Sequence, residues 1–136
     1  LMIVSAIANG GTLMKPYMID HVENVGGLTV KKFLPSAYGT LMSANDAQFL
    51  THLMSQVVEI GTGSAMRGAS YTVAGKTGSA EFETGKETHS WFVGFAPADK
   101  PKVAICVLAE ESGSGGAVAA PIARQVLDRY FAKYGQ

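Results

Sequence analysis

The sequence has little charge, and the charge that it has is balanced. Charged side chains make up 16% of the 136 residues, below the roughly 25% of an ordinary soluble domain. The 11 basic residues equal the 11 acidic ones, so no net positive field exists to attract nucleic acid or an anionic membrane. Nucleic-acid binding is therefore not expected, and the low charge suggests that more of the surface than usual is covered.

Cysteine and long apolar runs are scarce as well. Cys106 is the one cysteine, which excludes an internal disulfide, and its apolar surroundings at 103–108 indicate a small buried side chain. The longest uncharged run, residues 1–14, is broken by Asn9-Gly10-Gly11 and falls short of the roughly 18 apolar residues of a membrane helix. The sequence alone therefore shows no membrane-spanning segment.

Apolar spacing predicts three helices. The first covers residues 1–8 and ends at Asn9-Gly10, the second follows a Ser43 cap and ends at Gly61, and the third runs from about 118 to 134 with Pro121 in its first turn. The predicted apolar faces comprise Phe49, Leu50, Leu53, Met54, Val57 and Val58 in the second helix and Ile122, Val126, Tyr130 and Phe131 in the third.

Runs rich in β-branched and aromatic residues predict five strands. They are 17–25 and 28–34 of a hairpin joined at Gly26-Gly27, and 71–82, 90–96 and 102–109 of an antiparallel meander. Strands covered by helices make an α+β fold. We expect a three-stranded antiparallel sheet with packed helices and a peripheral hairpin.

Two glycine-rich segments could be mistaken for nucleotide sites. Gly75-Lys76-Thr77 ends like a phosphate-binding loop, but Ser70 stands where that loop needs its first glycine, and no helix pattern follows. Segment 112–116 fails the spacing of dinucleotide sites and is predicted as a turn at a helix entry. The three scattered histidines and the lone cysteine lack metal-ligand spacing. We expect neither a cofactor nor a metal.

The remaining motif is Lys76-Thr77-Gly78-Ser79 on a predicted strand. With it, the chain resembles the transpeptidase domain of penicillin-binding proteins, in which a K-T-G motif lies on a strand beside the serine active site. Further segments resemble that family in the same order: 6–11, 15–17, 61–63, 73–81, 91–97 and 119–122. Over essentially its whole length the chain is most similar to the class B, high-molecular-weight enzymes.

The resemblance implies both a fold and an activity. Residues 1–136 would form the C-terminal segment of a single transpeptidase domain, of the fold shared with serine β-lactamases, whose N-terminal part is missing. The intact parent would be a peptidoglycan D,D-transpeptidase that acts on stem peptides ending in D-Ala-D-Ala and is acylated by β-lactam antibiotics. It would be anchored in the bacterial envelope, at the extracytoplasmic face of the cytoplasmic membrane.

The resemblance also assigns roles to four residues. Lys76, Thr77, Gly78 and Ser79 would bind substrate along the strand edge: Lys76 supplies positive charge, the two hydroxyls bind the carboxylate, and Gly78 permits close approach. Lys76 and Ser79 would be catalytic, the Ser79 backbone N–H being one oxyanion-hole donor. Without the resemblance, Lys76 reads as a charge that keeps an edge strand from aggregating.

The chain lacks the other two motifs of the family. None of its ten serines has lysine three residues later, so the S-x-x-K nucleophile is absent, and Ser43-Ala44-Asn45 is predicted as a helix cap rather than the S-x-N motif. We expect the 136-residue chain alone to be inactive. Two alternatives to the transpeptidase are a catalytically inactive penicillin-recognition or sensor module and a serine β-lactamase.

The family resemblance also predicts an open strand edge. In the family, N-terminal strands lie beside the strand that corresponds to 102–109. This strand carries Val103, Ile105, Val107 and Leu108 and little charge that would oppose pairing. Its expected partner is the missing N-terminal part of the domain or, in its absence, a second copy in a strand-paired dimer.

Overall fold

The computed structural model describes residues 1–135 and contains helices on both sides of a central sheet. The helices are α1 (Met2–Ala8), α2 (Ala44–Glu59) and α3 (Ala119–Tyr134). The strands are β1 (Thr12–Met14), β2 (His21–Glu23), β3 (Thr29–Lys32), β4 (Ala37–Thr40), β5 (Ala74–Ala80), β6 (His89–Ala96) and β7 (Val103–Ala109). No helix within residues 1–135 is both long enough and apolar enough to cross a bilayer.

The central sheet has the strand order β5-β6-β7, and both pairings are antiparallel. Thr77 lies opposite Phe92, and Val93 lies opposite Cys106. The predicted meander and the α+β class are confirmed. Within residues 1–135, β5 and β7 each have β6 as their one neighbour in this sheet, so both are edge strands.

Two hydrophobic clusters cover the two faces of this sheet. Because side chains alternate along a strand, Phe92 and Phe95 of β6 point to opposite faces, and both are fully buried. Phe92 packs with α3 and the loop before β5, whereas Phe95 packs with α1 and α2. The core is therefore divided by β6, and each phenylalanine anchors one half of it.

Helix α2 begins after Ser43 as predicted and ends at Glu59, just before Gly61, and Met54 and Val58 of its predicted apolar face are buried. Ser43 caps it by accepting a hydrogen bond from the Asp46 N–H at 3.1 Å. Phe49 and Leu53, predicted as core, are 62% and 45% exposed. The buried residues of the helix are Ala47, Met54 and Val58.

Helix α3 corrects a second predicted face. Ile122 and Val126 are 41% and 51% exposed, and Tyr130 and Phe131 are half-buried. The buried residues are Ala119, Ala120, Ala123 and Leu127. Small side chains let the helix lie close to the sheet, and three alanines together with Leu127 form its buried face. Of the four predicted residues, Phe131 packs against the core that contains Phe92, and Ile122 and Val126 do not.

The segment between α1 and α2 forms two small antiparallel pairs. The β2–β3 hairpin is confirmed with shorter strands, and its turn is shaped by Asn24, whose side chain accepts hydrogen bonds from the backbone of Gly26 and Leu28. The pairing of β1 with β4 was not predicted. At the end of α1 the positive φ angles occur at Gly10 and Gly11, whereas Asn9 has a φ of −98°.

Strand β5 begins three residues later and ends two residues earlier than the predicted 71–82, and Tyr71 is bound to α3 instead. Its ring stacks on Phe131 with centroids 4.3 Å apart, and its hydroxyl donates to Asp128 at 2.7 Å. Together with Arg124, this hydroxyl lowers the pKa of the Asp128 carboxyl below its ordinary value. Arg124 also donates to the Arg67 carbonyl at 2.9 Å. The approach to β5 is thus fixed to the C-terminal helix.

Candidate active site

Two glycines face each other where the strand that carries the K-T-G motif pairs with its neighbour. Gly75 and Gly94 stand opposite each other across β5 and β6. A Cβ at Gly75 would overlap the buried ring of Phe92, and one at Gly94 would lie 2.6 Å from the Ala74 carbonyl oxygen. Only glycine fits at both positions, so the pairing of β5 with β6 here depends on these two residues.

The alternation of side chains divides the motif between the two faces of the sheet. Thr77 and Ser79 lie on the α3 face, where Phe92 and Ser90 are their cross-strand partners. Lys76 and Gly78 lie on the face of α1 and α2. A ligand along the free edge of β5 would therefore meet an ammonium on one side and two hydroxyls on the other.

Lys76 is exposed and bound to its own strand. Its ammonium donates to the Thr77 carbonyl at 2.7 Å. Within residues 1–135 no carboxylate lies within 4.0 Å of this ammonium. Its positive charge is therefore not neutralised by an acidic side chain of this part of the chain.

The two hydroxyls of the motif differ in burial. Thr77 is 8% exposed, and its Oγ1 lies 2.5 Å from Oγ1 of Thr62. Ser79 is exposed, and its Oγ accepts a long hydrogen bond of 3.4 Å from the Gly115 N–H. Both hydroxyls are thus held by loops outside the sheet, which sequence reasoning did not foresee.

The glycine-rich segment 112–116 precedes α3, as predicted, and it also lies against the strand that carries the K-T-G motif. A Cβ at Gly115 would overlap the carbonyl oxygens of Gly78 and Trp91, so this loop lies directly on the motif strand. Ser90 fixes the loop: its fully buried hydroxyl donates to the Ser114 carbonyl and accepts from the Ala119 N–H, each at 3.0 Å. In the sequence, the signal for this contact was the run of glycines between a predicted strand and a predicted helix.

Other sequence candidates lie apart from this site. Ser43 caps α2 as predicted. The described residues 1–135 contain no group of three or more histidine, cysteine or acidic side chains placed to share a metal ion. A cavity of about 610 Å³ lies between Tyr71, Asp128 and Phe131 and touches none of the four motif residues. Recognition at a strand edge uses backbone pairing and requires no enclosed cavity.

Comparison with known proteins identifies the family. The family model of the penicillin binding protein transpeptidase domain matches residues 1–128. The chain is 35% identical over 135 residues to the peptidoglycan D,D-transpeptidase PbpA of Mycolicibacterium smegmatis and 36% identical over 134 residues to the stage V sporulation protein D of Bacillus subtilis. These alignments cover 92% and 91% of this chain, and 27% and 21% of those proteins.

Solved structures agree with this family. The D,D-transpeptidase domain of a peptidoglycan glycosyltransferase from Eggerthella lenta superposes with a TM-score of 0.91 at 35% identity, covering 98% of this chain and 31% of that one. The ceftriaxone acyl-enzyme complex of penicillin-binding protein A from Mycobacterium tuberculosis gives 0.85 at 34% identity, covering 93% and 30%. The chain spans about a quarter of the length of the curated relatives it matches.

Replacement of Ser90 tests how the loop is held on the motif strand. Ser90→Ala would leave the Ser114 carbonyl and the Ala119 N–H without their partner in a buried place. We expect the free energy of unfolding, measured in urea, to fall by about 1–3 kcal/mol. Ser36→Ala, at an exposed serine, is the matched control and should change it by less than about 0.5 kcal/mol. Equal stability of both variants would show that Ser90 does not hold the loop.

Proposed function

The chain belongs to the family of penicillin-binding protein transpeptidase domains, in its class B branch, and we propose that it contributes the K-T-G strand of a serine acyl-transfer site. The whole protein would be a peptidoglycan D,D-transpeptidase. The observation that carries this proposal is the free edge of β5, with Lys76 on one face and Thr77 and Ser79 on the other. Membership of the family indicates the reaction in which such an edge would take part.

The edge suits a peptide that ends in a carboxylate. An extended stem peptide would add to β5 as a further strand and pair with its backbone. Its terminal carboxylate would accept hydrogen bonds from the Thr77 and Ser79 hydroxyls and lie in the field of Lys76. Gly78 presents no side chain to obstruct the approach. Pairing would also require the Lys76 ammonium to leave the Thr77 carbonyl, freeing it for the ligand.

Catalysis would use a serine supplied by the rest of the domain. Its hydroxyl oxygen attacks the carbonyl between the two terminal D-alanines, the last D-alanine leaves, and an amine of a second peptide then displaces the serine from the acyl group. Negative charge develops on the carbonyl oxygen in both steps. The Ser79 backbone N–H would be one of two donors that stabilise this charge.

A β-lactam would acylate the same serine. Penicillin-binding protein A of Mycobacterium tuberculosis forms acyl-enzyme complexes with ceftriaxone and imipenem, and we extend this chemistry to the present protein. Relatives such as PbpA of Mycolicibacterium smegmatis are peptidoglycan D,D-transpeptidases by name, which supports this activity over the sensor and β-lactamase alternatives. We place the whole protein in the bacterial cell envelope, anchored at the outer face of the cytoplasmic membrane.

The role of Lys76 can be measured by acylation. In the whole protein, Lys76→Ala should lower the second-order rate constant of acylation by a labelled penicillin at least about tenfold, equivalent to ~1.4 kcal/mol of transition-state stabilisation. Lys32→Ala, in the exposed strand β3, is the matched control and should leave this rate unchanged. Unaltered acylation of a folded Lys76→Ala protein would show instead that Lys76 serves as a charge that keeps an edge strand from aggregating.

The apolar edge of β7 leads to a second prediction, on the isolated 136-residue chain. We propose that β7 pairs with strands of the rest of the domain and that, without them, it associates with a second copy. No charged residue interrupts Val103–Ala109, and Leu108 is 44% exposed. Leu108→Lys should shift light scattering towards the monomer, whereas Ile122→Lys, an exposed position on α3, should not. A monomeric unmodified chain would contradict the proposal.

A further inference from the structure

The Thr77 hydroxyl is paired with the hydroxyl of Thr62, in the loop that follows α2. Thr77 is almost fully buried, and a buried hydroxyl needs a hydrogen-bond partner. Within residues 1–135 that partner is the hydroxyl of Thr62, at an Oγ1–Oγ1 distance of 2.5 Å. Thr62 itself is exposed, so the pair lies at the surface of the site rather than in the core.

The loop that carries Thr62 is fixed tightly. Gly63 donates from its N–H to the Val57 carbonyl at 2.9 Å, which folds the loop back on the last turn of α2. A Cβ at Gly61 would lie 2.9 Å from the same carbonyl oxygen, and one at Gly116 would lie 2.7 Å from the Thr62 carbonyl oxygen. Thr62 is therefore held between the end of α2 and the glycine-rich loop before α3.

Either hydroxyl of this pair could donate the hydrogen bond to the other, and the two arrangements differ in what Thr77 can offer a ligand. Each hydroxyl has one proton to donate and lone pairs to accept with. If Thr77 donated to Thr62, its proton would be used and it could offer nothing to a carboxylate. If Thr62 donates to Thr77, the Thr77 proton stays available. A chain in which one hydroxyl donates to the next also strengthens the final hydrogen bond.

We propose that Thr62 is a positioning residue that donates its proton to the Thr77 oxygen and thereby directs the Thr77 proton at the substrate carboxylate. This inference rests on the proposed function, in which Thr77 binds that carboxylate. Thr62 touches no substrate atom in this account. Its effect should therefore be confined to ligands that carry the carboxylate.

The test compares a penicillin with its methyl ester in the whole protein. The ratio of their acylation rate constants measures the preference for the carboxylate. We expect Thr62→Val, which keeps the shape and removes the hydroxyl, to lower this ratio by about fivefold or more, as for loss of one hydrogen bond. Thr62→Ser, which keeps the hydroxyl, should leave this ratio within about twofold of that of the unmodified protein. Thr40→Val, at an exposed strand position, is the control.

Further variants separate the two levels of the proposal. Thr77→Val should lower the ratio, and adding Thr62→Val to it should lower the ratio no further, because both act through one hydroxyl. A Thr77→Val protein with an unchanged ratio would overturn the carboxylate-binding role of Thr77 and the inference with it. A normal response to Thr77→Val with no response to Thr62→Val would overturn the inference alone.

Thr62→Val would give a different result if the role of Thr62 were only structural. It would slow acylation by the acid and by the ester equally, leaving the ratio unchanged, and that result overturns the inference. Unfolding midpoints in urea confirm that each variant is folded. If Thr62→Val does not fold, Thr62→Ala removes the same hydroxyl and is judged by the same ratio.

Discussion

Strand β5 is paired along one edge and unpaired along the other within residues 1–135, and this constraint is the one on which the rest of the structure depends. One edge of this strand is paired with β6, where Gly75 and Gly94 leave no room for a side chain. The loop at Gly115 lies against the same pair of strands, over the Gly78 and Trp91 carbonyls. Within residues 1–135 the other edge pairs with no strand. A backbone held along one edge and free along the other can accept an extended peptide once the Lys76 ammonium leaves the Thr77 carbonyl, which is the geometry that the proposed acyl transfer needs.

Glycine and serine therefore contribute more to this site than charge does. The glycines bring three backbone segments together, and the buried Ser90 hydroxyl joins β6 to the start of α3. Lys76 adds the one ammonium of the motif, with no acidic partner in the described chain. The low charge of the sequence fits the proposal that part of this surface, the edge of β7 with its exposed Leu108, contacts the rest of the domain.

The sequence predicts the central elements well because their signals are local. The Ser43 cap, the turn at Gly26-Gly27 and the β-prone meander each depend on a few neighbouring residues, and all three are confirmed. Which face of a helix is buried depends on what packs against it. The alanines of α3 were missed for that reason. The Thr62–Thr77 pair joins residues 15 apart, and no spacing rule connects a loop hydroxyl with a strand hydroxyl.

The placement of Ser79 beside the reacting carbonyl is the central claim, and a crystal structure of the whole protein acylated by a penicillin tests it most directly. The decisive quantity is the distance from the Ser79 backbone nitrogen to the carbonyl oxygen of the acyl group. We predict about 3 Å, with the penicillin carboxylate against the Thr77 and Ser79 hydroxyls. An acyl group whose carbonyl oxygen points away from Ser79, or a carboxylate bound elsewhere, would contradict it.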